Sequence, residues 1–106
     1  LTGVWELAEA SECGVRLEAD AVPVLPETRQ ICEILGADPL GLIGSGAMLI
    51  AVADPGRLLS EMAQAGIAAV VVGRLEQSDR TIIRWGRRLT LEPLDRDELW
   101  RILEAP

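Results

Sequence analysis

Apolar residues recur at one-turn spacing at the start of the chain. Leu1, Val4, Trp5 and Ala8 fall on one face while Glu6, Glu9 and Glu12 sit largely on others, so residues 1–12 predict an amphipathic helix. Gly14 is placed to close it, where a left-handed residue is cheapest. Val15-Arg16-Leu17-Glu18 then alternates apolar and charged, the pattern of a half-buried strand. Pro23 and Pro26 bracket an extended connection, and Pro26 suits the first position of a second helix. That helix should present Ile31, Ile34 and Leu35 on one face and stop at Gly36.

A loop through Asp38-Pro39, Gly41, Gly44 and Gly46 leads into the apolar run 47–53, expected to be a strand buried on both faces. Asp54-Pro55 marks a third helix with Leu58, Leu59, Met62 and Ala63 as its buried stripe and Gly66 as its end. Residues 67–72 form another continuous apolar, β-branched run, closed by Gly73 and expected to be a strand. Thr81 to Trp85 and Arg88 to Glu92 read as a hairpin with its turn at Gly86-Arg87. Asp95 and Glu98 have capping-box spacing ahead of a last helix burying Leu99, Ile102 and Leu103. The order strand, helix, strand over residues 47–73 is βαβ-like, and a parallel pair there would cross over right-handed. With an antiparallel hairpin added, the expected fold is α/β (or α+β): one domain with a mixed sheet covered by helices.

Composition narrows the chemistry more than it identifies it. The 106 residues are 49% apolar, which fits one modest core. Histidine, lysine, Phe, Tyr and Asn are absent. That excludes His-dependent triads, His-ligated metals, Schiff-base lysines and a P-loop lysine. The net charge of −7 argues against nucleic acid as the main partner. It is unevenly spread: residues 1–53 hold two arginines against eight acids, and residues 54–106 eight against nine. Between Arg74 and Arg88, five arginines face only Glu76 and Asp79, which reads as a solvated strand face or, alternatively, an anion or partner contact. Cys13 and Cys32 have no metal-ligand spacing and read as reduced, partly buried residues of a cytoplasmic protein. No apolar run is long enough for a membrane span, and the opening Leu1 without methionine points to a domain cut from a longer protein.

The loop Gly44-Ser45-Gly46 is the strongest candidate for substrate or anion binding. Its glycines let backbone N–H groups approach a ligand, although such a turn also serves simply to enter a strand tightly. Arg87 and Arg88, at the expected turn, are possible anion or partner contacts against the alternative of a solubilising turn. Glu6, Glu9 and Glu12 drift around a helix and read as a solvated face rather than a metal site. Trp5, Trp85 and Trp100 lie beside apolar neighbours and read as core or interface packing, since no basic–aromatic interleaving accompanies them. No catalytic residue is assignable.

In order and spacing, several segments together resemble the C-terminal domain of the aminoimidazole ribonucleotide (AIR) synthase superfamily. They are Trp5-Glu6-Leu7-Ala8-Glu9-Ala10-Ser11, Gly14-Val15-Arg16-Leu17, Ala21-Val22-Pro23-Val24 and Pro26-Glu27-Thr28-Arg29. They continue through Ile31-Cys32-Glu33-Ile34-Leu35-Gly36, Asp38-Pro39-Leu40, residues 44–52 and Val71-Val72-Gly73-Arg74. Within that superfamily the chain is most similar to the HypE-like, hydrogenase-maturation branch and its AIR-synthase-related relatives.

The resemblance implies a three-layer α/β/α, partly ferredoxin-like domain that closes the substrate cleft of a two-domain, ATP-dependent enzyme. It implies that ATP and magnesium belong to the N-terminal domain of the parent, which would also form a homodimer, and that the substrate is a small anion. This chain alone should then be inactive. Two departures separate it from the HypE-like pattern: Gly44-Ser45-Gly46 stands where Asn-Glu-Gly is usual, and the final Leu103-Glu104-Ala105-Pro106 lacks a terminal cysteine. They point to an AIR-synthase-related paralogue rather than a true carbamoyl dehydratase. The competing reading is a non-catalytic module for dimerisation or partner docking, with Trp85 as an apolar anchor.

Overall fold

A computed structural model describes residues 1–42, 47–93 and 103. The expected amphipathic helix forms as α1 (Thr2–Ser11), followed by strand β1 (Gly14–Glu18) and a short 3-10 turn at Ala19–Ala21. Helix α2 (Pro26–Leu35) begins at proline and ends at Gly36 in the left-handed conformation, as its local chemistry dictates. A second 3-10 turn, Pro39–Gly41, precedes helix α3 (Pro55–Gln64). Asp54 caps α3 by accepting from the Arg57 N–H at 3.2 Å, and Gly66 turns the chain with φ 76°.

Strands β2 (Gly73–Glu76), β3 (Arg80–Arg84) and β4 (Arg87–Thr90) complete a four-stranded sheet in the order β2-β1-β3-β4. Strands β1 and β2 run antiparallel, β1 and β3 parallel, and β3 and β4 antiparallel. The fold is therefore α/β with a mixed sheet, as expected. Alternation along β1 and β3 sends Val15, Leu17 and Ile82 to one side, where they join Ala8, Ala19 and Leu91 in the core. Leu17 is the most enclosed large side chain, at 2% exposure. Leu1, Val4 and Trp5 of the first helical face pack against this cluster.

Several expectations are corrected. Residues 47–53 join no ladder and are exposed, Met48 by 83%. A continuous apolar run says that both faces need cover but names no partner, and β1 finds its parallel neighbour in β3 instead. The βαβ unit over residues 47–73 accordingly does not form among the described residues. The run 67–72 leads into a strand rather than being one: the ladder begins at Gly73, with one further bond from the Glu18 N–H to the Val72 carbonyl at 2.7 Å. Gly14 is not the helix cap. Glu12 adopts the left-handed conformation (φ 52°), and Gly14 lies inside β1, where a Cβ would strike the backbone of Ser78 and Asp79.

The stripe Leu58, Leu59 and Met62 is only half-buried and Ala63 is exposed, while Ile31, Ile34 and Leu35 of α2 are exposed. Of the expected last helix only Leu103 is described; it is helical and exposed rather than buried. The hairpin turn sits one residue earlier than expected, at Trp85-Gly86, because both residues take positive φ (54° and 70°), as a primed two-residue turn requires. Because Gly56 in α3 is open to a Cβ, with Asp54 Oδ1 nearest at 3.6 Å, Gly56→Ala is expected to raise stability by about 0.5 kcal/mol through helix propensity. A rise in the urea midpoint at unchanged slope checks it.

Candidate functional site

β3 organises the functional side of the sheet through two arginines that share a face with buried Ile82. At one end Arg80 reaches α1. Its guanidinium lies 4.6 Å over the Trp5 ring, donates to the Cys13 carbonyl at 3.3 Å and pairs with Glu9. At the other end Arg84 donates from Nη1 and Nη2 to Asp38 Oδ2 and Oδ1, at 2.8 and 2.6 Å. Asp38 is itself the cap of the turn Pro39–Gly41, accepting from the Leu40 N–H at 3.0 Å. The same carboxylate thus shapes a turn and anchors it to the sheet.

The electrostatics follow from this clamp. Hydrogen bonding from Arg84 holds the Asp38 carboxyl below its ordinary range, burial pushes the other way, and the Leu40 N–H adds to the lowering. The Arg84 guanidinium is raised in turn, chiefly by its hydrogen bonds to Asp38. Next along the chain, Trp85 is exposed, and the Arg84 guanidinium lies 4.4 Å from the centre of its ring.

Beside the clamp is a cleft of about 480 Å³ between α2, both 3-10 turns and the end of β3. Asp20, Arg29, Cys32, Glu33, Arg84 and Trp85 supply its chemistry, and Pro39 and Leu40 complete the wall nearest Asp38. Arg29 and Arg84 balance Asp20 and Glu33 in charge. Since Arg84 is already committed to Asp38, Arg29 is the cleft cation without an ion pair among the described residues. Among the described residues no three carboxylate or thiol side chains converge to hold a metal ion. Both cysteines are free thiols, Cys32 buried and Cys13 half-buried. No helix among the described residues is long and apolar enough to cross a membrane.

Gly44, Ser45 and Gly46 lie outside the described residues, as do Trp100 and the capping pair Asp95 and Glu98. Arg87 and Arg88 are exposed on β4 and do not line the cleft. Arg80 and Arg84, grouped by sequence with a solvated face, are structural clamps instead. A parity signal marks them: positions 80, 82 and 84 face the same way, and Ile82 is the buried apolar residue of the strand. The Asp38 role carried a weaker signal, since an Asp-Pro pair marks a turn without naming its distant partner.

The same layout recurs in known proteins. The family described as AIR synthase related protein, C-terminal domain, matches residues 1–86. The chain belongs to that family. It is 40% identical over 73 residues to the carbamoyl dehydratase HypE of Rhodobacter capsulatus, covering 65% of this chain and 22% of that protein. It is 45% identical over 49 residues to the HypE of Escherichia coli K12, covering 46% of this chain and 15% of that protein. A crystal structure of E. coli HypE superposes with TM-score 0.67 at 31% identity, over 93% of this chain and 33% of that one. This AIR-synthase-related chain thus spans about a fifth of the curated R. capsulatus relative and a third of the solved HypE chain. Within the family, the chain is similar to these HypE proteins.

Proposed function

We propose that this domain is the substrate-cleft half of an ATP-dependent, AIR-synthase-related protein of the HypE-like type, inactive by itself. Carrying this reading is the asymmetry of the structural match: nearly all of this chain corresponds to only a third of the HypE chain. ATP and magnesium are assigned to an N-terminal domain, because the described residues offer neither a lysine nor a converging ligand set. The small anionic substrate is assigned to the cleft beside Asp38 and Arg84, where Arg29 is the available charge.

Exposed apolar side chains support a partner that is the protein's own N-terminal domain. Met48, Leu49, Ile50 and Val52, with Ile67, Val70 and Val71, are all exposed, and such apolar side chains fit a surface that a partner covers. The parent is proposed to be a cytoplasmic homodimer. Assay of magnesium-dependent ATP hydrolysis tests the reading directly. Turnover is expected from the two-domain protein and none from the 106-residue domain. Hydrolysis by the domain alone, or none by the two-domain protein with its substrate, would defeat it.

A further inference from the structure

On the face of the sheet turned away from the core lies a polar row that plays no part in the cleft beside Asp38. Register places Arg74 directly opposite Arg16 across the β1–β2 ladder, and Arg16 opposite Thr81 across β1–β3. Paired residues project to the same side, and alternation sets this row opposite Val15, Leu17 and Ile82. A second cleft of about 300 Å³ opens here, lined by Arg16, Glu18, Val71, Gly73 and Arg74. Like charges directly opposed across a ladder repel, and the two guanidiniums of Arg16 and Arg74 face the single carboxylate of Glu18, which leaves the cleft with one excess positive charge.

Hydrogen bonding in this row is also incomplete. Glu18 Oε1 lies 3.2 Å from Arg16 Nε but off the N–H direction, so among the described residues this buried Nε makes no hydrogen bond. The buried Thr81 Oγ1 has no partner among the described residues either. Each such group costs stability when left unmet. Arg74 joins none of the ion pairs among the described residues. Two guanidiniums from adjacent strands present more donors than one carboxylate can accept. A tetrahedral oxyanion with a double charge accepts from both.

We propose that this cleft binds a phosphate group, held between the guanidiniums of Arg16 and Arg74 at the β1–β2 edge of the sheet. Glu18 shares the cleft and opposes the ligand by its charge, which lowers the affinity. The site stands on the sheet face alone, independently of the ATP-dependent reading of the other cleft. The shared chemistry is a phosphate, free or as an ester.

Calorimetric titration of the 106-residue chain with inorganic phosphate and with glycerol 3-phosphate, at fixed ionic strength, tests it. Arg74→Gln is expected to weaken binding about tenfold by removing charge-assisted hydrogen bonds. Glu18→Gln is expected to tighten it, and Arg57→Gln on α3 to leave it unchanged. Arg74 is exposed on an edge strand, so its variant folds where an Arg16 variant need not. Binding that depends on Arg74 supports the site, and the two titrants show whether it takes the free anion or the ester. Equal losses in the Arg74 and Arg57 variants, acetate binding as tight as phosphate, or no binding of either titrant overturns it.

Discussion

Gly73→Ala is expected to lower the unfolding free energy by about 3 kcal/mol, at the upper end of what overpacking costs. Gly73 pairs with Leu17, the most enclosed large side chain of the core, in the β1–β2 ladder. A Cβ built there comes within 3.1 Å of Leu17 Cα and closer still to the Arg16 carbonyl. The three nearest atoms it meets are all backbone, so no side-chain rotation relieves these contacts. Relief requires β2 to move off β1, which weakens the ladder and uncovers Leu17. Urea denaturation of the two proteins measures the difference, and a change below about 1 kcal/mol would show that the strands separate freely. Gly56→Ala, expected to act in the opposite direction, shows that the effect lies in the contact and not in glycine itself.

This position also shows where sequence and structure part company. Gly73 was legible as the end of an apolar run, but its reason, a backbone crossing, depends on a strand nearly 60 residues away. What local chemistry controls was legible: Pro26 and Gly36 bounding α2, Asp54 capping α3, and the alternation that makes β1 a half-buried strand. What depends on pairing was not. Residues 47–53 carry the apolar content of a central strand yet find no partner among the described residues, because apolarity specifies burial and not register. The hairpin slipped by one residue because a tryptophan occupies a left-handed position that composition assigns to glycine.

The candidate site divides in the same way. Its glycine loop was readable as a motif but lies outside the described residues, whereas the cleft walls come from α2, two short turns and β3, which only the fold brings together. Arginines between positions 74 and 88 looked like one basic stretch. Strand parity puts the structural clamps Arg80 and Arg84 on the core face and Arg74, which is exposed, on the opposite one. Net charge in a window cannot make that distinction, because it averages over both faces of the sheet.

Asp38→Ala is expected to cost about 2 kcal/mol and to change how stability depends on pH. Removing the carboxylate takes away two charge-assisted bonds and a turn cap, each worth roughly 0.5–1 kcal/mol at this partly exposed position. It also leaves the Arg84 guanidinium, whose side chain is only 15% exposed, without its counter-charge. The Asp38 side chain is 36% exposed, so solvent screening holds the loss below the 3–5 kcal/mol of a fully buried pair. Because Arg84 depresses the Asp38 carboxyl in the folded state, that state binds the proton less readily than the unfolded chain does. Its contribution is therefore fully present above the unfolded value of about 4 and disappears as pH falls through the lower folded value. In urea titrations from pH 7 to pH 2, the native protein should lose this increment below about pH 4, and Asp38→Ala should lack that part of the slope. Arg84→Lys should recover only part of the stability at pH 7, since an ammonium cannot donate the two parallel bonds that Asp38 accepts. Parallel pH profiles for the native and Asp38→Ala proteins would show that the pair does not hold the turn to the sheet.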